Sequence, residues 1–255
     1  MNDLVRHQEE LQRNYRFWKA KPLLQQVYAG FYKRIISLID LGIPGGIVEI
    51  GSGIGNLKAH LPQAITTDLF PNPCLNVLCD GYELPFRAGS ISHLVLFDVF
   101  HHLQAPNAFL REARRVLAPP GRLVLFEPYI SWSSFPVYAL AHHEPVAWRQ
   151  PILMSDQPPP SRTYYAAQGN ATRLFFRLEL PNWPAGWTVF HNERITCFHY
   201  LLSGGYSKRA MYPQRLLDRI QKIDELLSRW PALFAARCLI GLHPSFEPGS
   251  PLARP

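Results

Sequence analysis

The chain has 255 residues, of which 47% are hydrophobic and 18% charged, and its formal net charge is +7. This length and composition allow one domain with a sizeable core, and they exclude collagen, a coiled coil and wholesale disorder. The charge is uneven: residues 41–130 carry 6 basic and 7 acidic side chains, whereas residues 131–255 carry 13 and 8. The basic excess therefore flanks a nearly neutral core, which disfavours nucleic acid as the partner and favours an anionic acceptor or the anionic surface that presents it.

No stretch of the sequence approaches the roughly 18–20 apolar residues of a membrane span, and the start of the chain lacks the apolar segment of a signal peptide. The cysteines show no CxxC spacing, so neither a zinc site nor a disulfide framework is indicated, and no metal is predicted. They are Cys74, Cys79, Cys197 and Cys238. We therefore predict a cytoplasmic protein without a membrane span.

Predicted strands and helices alternate along the first half of the chain, as in a parallel sheet with helical crossovers. Residues 3–40 are predicted to be helical, with Pro22 as a start point. Strands are predicted at 47–50, 65–67, 75–79, 93–97 and 122–126, with a helix at 108–117. An irregular, proline-rich insertion follows from residue 131. After it we predict a strand at 188–200, a helix at 213–229 and a closing strand at 236–242.

The strongest local motif is Glu49-x-Gly51-x-Gly53-x-Gly55, directly after the first predicted strand. Glycines here let a ligand approach the backbone, although a tight strand-to-helix turn needs them for structural reasons alone. The third glycine of the dinucleotide fingerprint would fall at position 56, which is Asn56. The motif therefore disfavours a nicotinamide oxidoreductase.

Three further acids lie at predicted strand ends: Asp68, Asp80 and Asp98. Asp68 follows Glu49 by nineteen residues, where a carboxylate can accept hydrogen bonds from both ribose hydroxyls. A role as a turn or cap residue is equally compatible with an Asp at a strand end. At the next strand end, Asp80 could accept from an adenine amino group.

Two more motifs complete an ordered set within residues 46–128. The fourth predicted strand runs into His101-His102-Leu103, and the next helix ends in Val116-Leu117-Ala118-Pro119-Pro120-Gly121. With these motifs the chain resembles the class I S-adenosylmethionine-dependent methyltransferases, in particular the small-molecule branch with a methyltransferase type 11-like domain. The resemblance implies S-adenosylmethionine as cofactor. It also implies a Rossmann-like, doubly wound α/β fold whose seven-stranded sheet is mostly parallel with one antiparallel strand.

The resemblance further implies which residues hold the cofactor. The methionine part would be held by Glu49, Gly51, Ser52, Gly53 and Gly55. Asp68 and Leu69 would hold the ribose, and Asp80 and Gly81 the adenine. The methionine end would be flanked by Asp98, Val99 and His102.

The sequence departs from the family pattern on the adenine side. Only twelve residues separate Asp68 from Asp80, so the usual helix between the second and third strands is predicted to be lost. A short first helix, broken near Pro62, is predicted after Gly55. Both changes would open the adenine end of the pocket.

If the acceptor is a hydroxyl, a general base would assist methyl transfer, and histidine titrates in the useful range. His142, His143 and His101 are the predicted catalytic candidates. The wider set of bases adds His102, Glu144, His191 and His199. Structural roles remain open for all of them, and packing against the cofactor is favoured for His101 and His102. His142, His143 and Glu144 could also be metal ligands, although no metal is the main expectation. Lys208 and Arg209 are the candidates for meeting an anionic acceptor.

We predict an N-terminal helical lid at 1–40 and an S-adenosylmethionine-binding core at 41–130. Residues 131–243 are predicted to form the acceptor-pocket insertion and closing strands of the same domain, and residues 244–255 a frayed tail. The predicted function is methyl transfer to a small-molecule or lipid-linked acceptor. An RNA-directed methyltransferase and a non-catalytic S-adenosylmethionine-binding protein of the same fold remain alternatives.

Overall fold

A single seven-stranded sheet organises the computed structural model, which describes residues 3–141, 144, 146–160, 164–177, 179–180 and 183–245. Its strands are β1 (Gly46–Ile50), β2 (Ile65–Asp68), β3 (Val77–Leu78), β4 (Ile91–Phe97), β5 (Leu117–Pro128), β6 (Trp187–Thr196) and β7 (Ala235–Pro244). Their order is β3-β2-β1-β4-β5-β7-β6. The first five strands pair in parallel, and β7 pairs antiparallel with both β5 and β6. The predicted mostly parallel sheet with one antiparallel strand is confirmed.

Helices cover both faces of the sheet. They are α1 (Asp3–Ala20), α2 (Pro22–Ile36), α3 (Pro106–Val116), α4 (Ser134–Ala141), α5 (Asn170–Phe175), α6 (Phe198–Leu201), α7 (Leu217–Leu227) and α8 (Pro231–Phe234). Side chains of α3 and α5 pack into the core on one face, and side chains of α2, α4 and α7 pack on the other. None of the helices in the described ranges is long and apolar enough to cross a membrane.

The predicted helix over residues 3–40 is two helices. Lys21 leaves the helical conformation, with φ −126° and ψ 87°, and Pro22 begins α2. This break is expected, since proline lacks the N–H that would continue the helical ladder and disfavours the helical conformation of the residue before it. The second helix ends at Ile36, ahead of the glycines that separate it from β1.

The strand predicted at 188–200 ends earlier, at Thr196. The carboxylate of Asp224 accepts the backbone N–H groups of Phe198 and His199 at 2.8 and 3.1 Å, which turns the chain into α6. A contact from α7 therefore overrides the local β pattern. Strand β7 extends to Pro244, the first residue of the predicted tail. Residues 246–255 lie outside the described part of the chain.

The loops around the cofactor-side strands are short. Residues 69–76 between β2 and β3 contain no helix, as predicted, and the short first helix predicted after Gly55 is a 3-10 turn over Asn56–Ala59. Two arginines of α3 bind neighbouring loops. Arg114 donates to the carbonyls of Gly186 and Ser245, and Arg115 donates to those of Leu84 and Phe86.

Candidate active site

A cavity of about 790 Å³ opens at the carboxyl ends of β1, β2 and β4. This is the edge at which doubly wound sheets bind ligands, and the volume lies within the usual range of small-molecule sites. Eleven of the twelve predicted cofactor residues line the cavity: Glu49, Gly51, Ser52, Gly53, Asp68, Leu69, Asp80, Gly81, Asp98, Val99 and His102. Gly55 is the exception: a Cβ added there would lie 3.1 Å from the Cβ of Cys74.

The glycine loop leaves its backbone accessible to a ligand. Gly51 has a φ of +67°, and a Cβ at this position would lie 2.5 Å from a methyl group of Val99. Gly53 has a φ of +52°, and nothing lies within 4 Å of the place where its Cβ would be. A left-handed backbone favours glycine at both positions. Gly53 therefore leaves room for a ligand beside the backbone, whereas Gly51 is required because the side chain of Val99 packs against it.

Asn56 has a structural role of its own. Its side-chain amide donates a 3.0 Å hydrogen bond to the hydroxyl of Tyr206, in the loop after α6. That contact ties the glycine loop to the C-terminal part of the cavity wall, which a third glycine could not do.

Glu49 is a buried carboxyl at the end of β1. Burial raises its pKa to about 8, a hydrogen bond from Ser52 opposes the shift, and the charge of Asp68 adds to it. Its Oε2 atom has no hydrogen-bond partner within the described residues. A buried oxygen without a partner is costly and marks a position where a ligand could donate.

We expect the titration of Glu49 to appear as pH-dependent stability of the ligand-free protein. The folded chain holds a proton that the unfolded chain, with a usual pKa of 4.5, releases. The proton retained by Glu49 therefore contributes to the free energy of unfolding. This contribution is fully present below about pH 4.5 and is lost as the pH rises to the folded-state pKa of about 8. Relative to Glu49→Gln, the melting temperature of the wild type should fall by about 3 °C or more across this window. If the melting temperatures of wild type and Glu49→Gln change equally with pH, the raised pKa of Glu49 is contradicted. Glu225→Gln, at an exposed position of α7, is the control substitution.

Asp68 ends β2 with both carboxylate oxygens directed at the backbone of the cavity wall. Oδ2 accepts the N–H of Gly53 at 3.1 Å, and Oδ1 accepts the N–H of Leu69 at 2.8 Å. Burial raises its pKa, although nearby His7 and these N–H groups oppose the shift. His7 reaches in from α1, with its Nε2 3.8 Å from Oδ2 of Asp68. The first helix thus closes over the end of β2.

Asp80 has a turn-forming contact. Its Oδ1 accepts the backbone N–H of Tyr82 at 2.9 Å, and its backbone bridges to Glu83. The residue still lines the cavity, next to Gly81. One carboxylate oxygen of Asp80 therefore stabilises this turn. A hydrogen bond from adenine would have to be accepted alongside that contact.

A buried ion pair lies on the other side of the cavity. Asp98, at the end of β4, has a φ of +58° and pairs with Arg237 of β7, whose side chain is 2% exposed. Arg237 also donates a 2.7 Å hydrogen bond to the hydroxyl of Tyr200. Burial raises the pKa of Asp98, and the guanidinium of Arg237 opposes the shift. The Asp98 side chain remains 31% exposed towards the cavity.

Tyrosines surround this ion pair. The cavity wall here consists of Tyr28, Tyr32, Tyr138, Tyr200 and Tyr206. Burial raises the pKa of each hydroxyl, so all five stay neutral. The hydroxyl of Tyr138 is already used, because it donates to the carbonyl of Ala236 at 2.8 Å. This part of the cavity combines apolar rings with tyrosine hydroxyls and the Asp98–Arg237 ion pair, of which Asp98 is the more exposed member.

His101 and His102 belong to a carboxylate network. Nδ1 of His101 lies 2.6 Å from Glu127, and its Nε2 lies 3.3 Å from Glu144. Burial alone would lower the pKa of His101, but Glu127 and Glu144 raise it well above its usual value. His102 contacts the carbonyl of Tyr165 through Nδ1 at 2.8 Å and Glu144 through Nε2 at 3.2 Å. Each of the four ring nitrogens therefore already lies within hydrogen-bonding distance of an oxygen or in an ion-pair contact with one.

Glu144 receives two further hydrogen bonds in this network. The hydroxyl of Tyr164 and the amide of Gln168 donate to it, both at 2.9 Å. The ligand atoms of His101, His102 and Glu144 lie within 4.8 Å of one another. A metal ion could use them only by replacing the contacts that now join the three side chains.

The rim of the cavity carries Lys208 and Arg209, both exposed. Lys21, between α1 and α2, donates to the carbonyls of Ser203, Gly205 and Lys208 at 3.1, 2.5 and 2.5 Å. One partly buried ammonium group therefore fixes the loop that presents the two rim cations.

Several sequence-based candidates lie elsewhere. His142 and His143 fall outside the described residues. His199 pairs with Asp224 at 2.5 Å and His191 lies 3.5 Å from Glu193; neither lines the cavity.

Arg237 and the tyrosines were not among the sequence-based candidates. The one indication was Arg237 itself, a charge inside the apolar run that predicts the closing strand, since such a charge needs a buried partner. His7 and Tyr164 gave no comparable indication. The position of His7 depends on α1 folding over the end of β2. The position of Tyr164 depends on the insertion folding back on itself at Glu144.

Comparisons with known proteins agree with this geometry. Residues 48–125 match the family model of a methyltransferase domain. A comparison with curated proteins finds no match. The fold is similar to a solved S-adenosylmethionine-dependent methyltransferase, a possible histamine N-methyltransferase, from Thermotoga maritima; the TM-score is 0.55 at 15% identity, over 92% of this chain and 99% of that one.

Two other solved structures share the fold at a TM-score of 0.50. One is phosphoethanolamine N-methyltransferase 2 of Haemonchus contortus, in complex with phosphomonomethylethanolamine and S-adenosylhomocysteine, at 14% identity over 86% of this chain and 53% of that one. The other is a geranyl diphosphate methyltransferase in complex with geranyl diphosphate and sinefungin, at 11% identity over 84% and 78%.

Proposed function

We propose that this chain, which carries a class I S-adenosylmethionine-dependent methyltransferase domain at residues 48–125, methylates a small-molecule or lipid-linked acceptor with an anionic group. The observation that carries the proposal is the composition of one continuous cavity. Its β1 and β2 side has carboxylates and an open glycine loop, and its β7 side has tyrosines and two rim cations, with the charge of Arg237 paired to Asp98. The two sides suit a cationic cofactor and an anionic acceptor, respectively.

The residues present fit S-adenosylmethionine on the first side. The unpartnered Oε2 of Glu49 is available to an amino group, and the space beside Gly53 admits a ligand against the backbone. Asp68 is available to the ribose hydroxyls from the end of β2. When bound, the cofactor supplies an electrophilic methyl group on a sulfonium.

On the acceptor side of the cavity, the residues of this chain contribute by positioning the acceptor. Holding the nucleophilic atom of the acceptor in line with the sulfonium can supply much of the rate. His101 lies between Glu127 and Glu144. The two ring nitrogens of His102 face the carbonyl of Tyr165 and the carboxylate of Glu144. The arrangement therefore favours an acceptor atom with an available lone pair, such as an amine or a carboxylate, over a hydroxyl that must first lose its proton.

The anionic group of the acceptor is assigned to the rim. Lys208 and Arg209 line the cavity mouth and have no acidic partner among the described residues. Two of the similar folds contain phosphorylated ligands, phosphomonomethylethanolamine and geranyl diphosphate. A phosphate or carboxylate group at the rim would leave the opposite end of the acceptor among the tyrosines.

Calorimetry with S-adenosylmethionine, S-adenosylhomocysteine and NAD tests the first half of the proposal. We expect both sulfur compounds to bind and NAD not to bind. Tight NAD binding without S-adenosylmethionine binding would refute it. Methyl-labelled S-adenosylmethionine, offered with amines, carboxylates, phosphorylated compounds and neutral compounds in turn, then identifies the acceptor class.

We expect neutralising the rim to weaken acceptor binding alone. With an anionic acceptor, Lys208→Gln combined with Arg209→Gln should raise KM roughly tenfold or more, because a charge-assisted hydrogen bond contributes about 1.5–3 kcal/mol. The affinity for S-adenosylhomocysteine should not change. Lys33→Gln, on an exposed position of α2, is the control. An unchanged KM would place the anionic group elsewhere.

A further inference from the structure

Helix α4 and the segment around α8 expose an unusual number of large apolar side chains. Trp132 is 80% exposed, Leu140 87% and Trp230 52%, and Phe135 and Leu233 are also exposed. We call these five residues the α4/α8 patch. Scattered exposed apolar residues are normal, but a contiguous group that includes two tryptophans indicates an interaction surface.

The two halves of the α4/α8 patch are joined by backbone contacts. The N–H of Trp132 donates to the carbonyl of Ala232 at 3.5 Å, and the N–H of Ser133 donates to that of Leu233 at 3.0 Å. The entry to α4 therefore lies directly beside α8. Helix α4 also contains no charged residue, so its outer face is apolar throughout.

Exposed cations flank the patch. Arg229 precedes Trp230 in the sequence, and on α7 Lys222 and Arg219 lie one turn from the exposed Leu226 and Ile223. None of these three cations has an acidic partner among the residues that the structure describes. The exposed acids Asp218 and Glu225 lie among them, so the exposed charged side chains from residue 215 to 229 are four cations and two acids, a basic excess beside the apolar patch.

The same elements form the wall of the cavity. On α4, Val137 and Tyr138 line the cavity while Phe135 and Leu140 face outward. Phe198 lines the cavity as well, and its ring lies 6.2 Å from that of Phe234 in α8. One layer of structure therefore separates the α4/α8 patch from the acceptor side of the cavity.

We propose that the α4/α8 patch and its flanking cations dock the protein on an anionic lipid bilayer. Tryptophans at the headgroup level, aliphatic side chains below them and cations facing anionic headgroups are the pattern of peripheral membrane binding. A second copy of the chain would be a poorer occupant, because like charges around the patch would face one another. Docking here holds the acceptor side of the cavity close to the membrane, where a lipid-linked acceptor would lie.

Vesicle co-sedimentation of the full chain tests the proposal. We expect binding to vesicles of phosphatidylcholine mixed with phosphatidylglycerol, and much weaker binding to vesicles of phosphatidylcholine alone. Trp132→Ser combined with Leu140→Ser should lower the partition coefficient roughly tenfold or more, because two large apolar side chains no longer enter the bilayer. Leu41→Ser, an exposed leucine before β1, is the matched control.

The basic contribution has its own test. Arg219→Gln, Lys222→Gln and Arg229→Gln together should lower binding to the anionic vesicles roughly tenfold or more and reduce its sensitivity to salt. The control replaces three exposed cations elsewhere: Arg16→Gln, Lys33→Gln and Arg87→Gln. Equal losses in both triple variants would show that net charge, not this surface, drives binding, and would overturn the proposal.

Two more results would overturn it. The first is a wild-type protein that does not bind anionic vesicles. The second is a dimer, seen by light scattering, that the Trp132→Ser and Leu140→Ser variant converts to a monomer, since the patch would then be a subunit interface. Calorimetry with S-adenosylhomocysteine on each variant verifies folding. It also separates the two proposals, because vesicle binding without cofactor binding would contradict the proposed function and leave the docking surface standing.

Discussion

Replacing Asp68 with alanine should weaken the binding of S-adenosylmethionine and S-adenosylhomocysteine by roughly a hundredfold or more. Two hydrogen bonds from ribose hydroxyls to a carboxylate would be lost, and bonds to charged groups contribute about 1.5–3 kcal/mol each. The variant also removes the acceptor for the N–H of Gly53, so the glycine loop loses a contact that orders it. Isothermal calorimetry measures the effect directly.

A graded series separates ribose binding from loop support. Asp68→Asn keeps one oxygen acceptor and should fall between wild type and Asp68→Ala. Asp218→Ala, an exposed acid on α7, should bind both ligands as the wild type does. If Asp68→Ala binds S-adenosylhomocysteine with unchanged affinity, the ribose is held by another group.

Replacing Arg237 with methionine should destabilise the fold by about 3 kcal/mol, because the charge of Asp98 is left without its partner in a mostly buried position. Urea unfolding monitored by tryptophan fluorescence measures the loss. Removing the second charge as well, in Asp98→Asn with Arg237→Met, should recover part of it, since the two substitutions act on one interaction.

Arg194→Met tests whether any arginine of the antiparallel strands would have the same effect. Arg194 is exposed on β6, opposite Cys238, so its replacement should cost less than about 1 kcal/mol. A double variant no more stable than Arg237→Met would show that the guanidinium stabilises through its contacts with Tyr200 rather than through Asp98.

The cofactor side of the cavity could be predicted because its residues follow directly from local sequence. Glu49, the glycines and Asp68 stand at the ends of short apolar strands, and parallel strands bring such ends to one edge of the sheet. The same local logic identified Pro22 as a helix start. Where only nearby residues decide the structure, the sequence pattern was sufficient.

The acceptor side could not be predicted in this way. Arg237 meets Asp98 across 139 positions of sequence, and Tyr28 reaches the cavity from a helix that precedes the whole sheet. The early end of β6 likewise depends on Asp224 in α7. Each of these outcomes is set by tertiary contact, which neither periodicity nor motif spacing records.

Strand β7 is the last of the seven along the chain, yet it lies between β5 and β6 within the sheet. During synthesis β5 and β6 are therefore complete before the strand that joins them exists, and β5 keeps an unpaired edge until then. The arrival of β7 closes that edge and delivers Arg237 to Asp98 in the same step. Completion of the sheet and completion of the acceptor side are thus one folding event, so a chain interrupted before β7 lacks both.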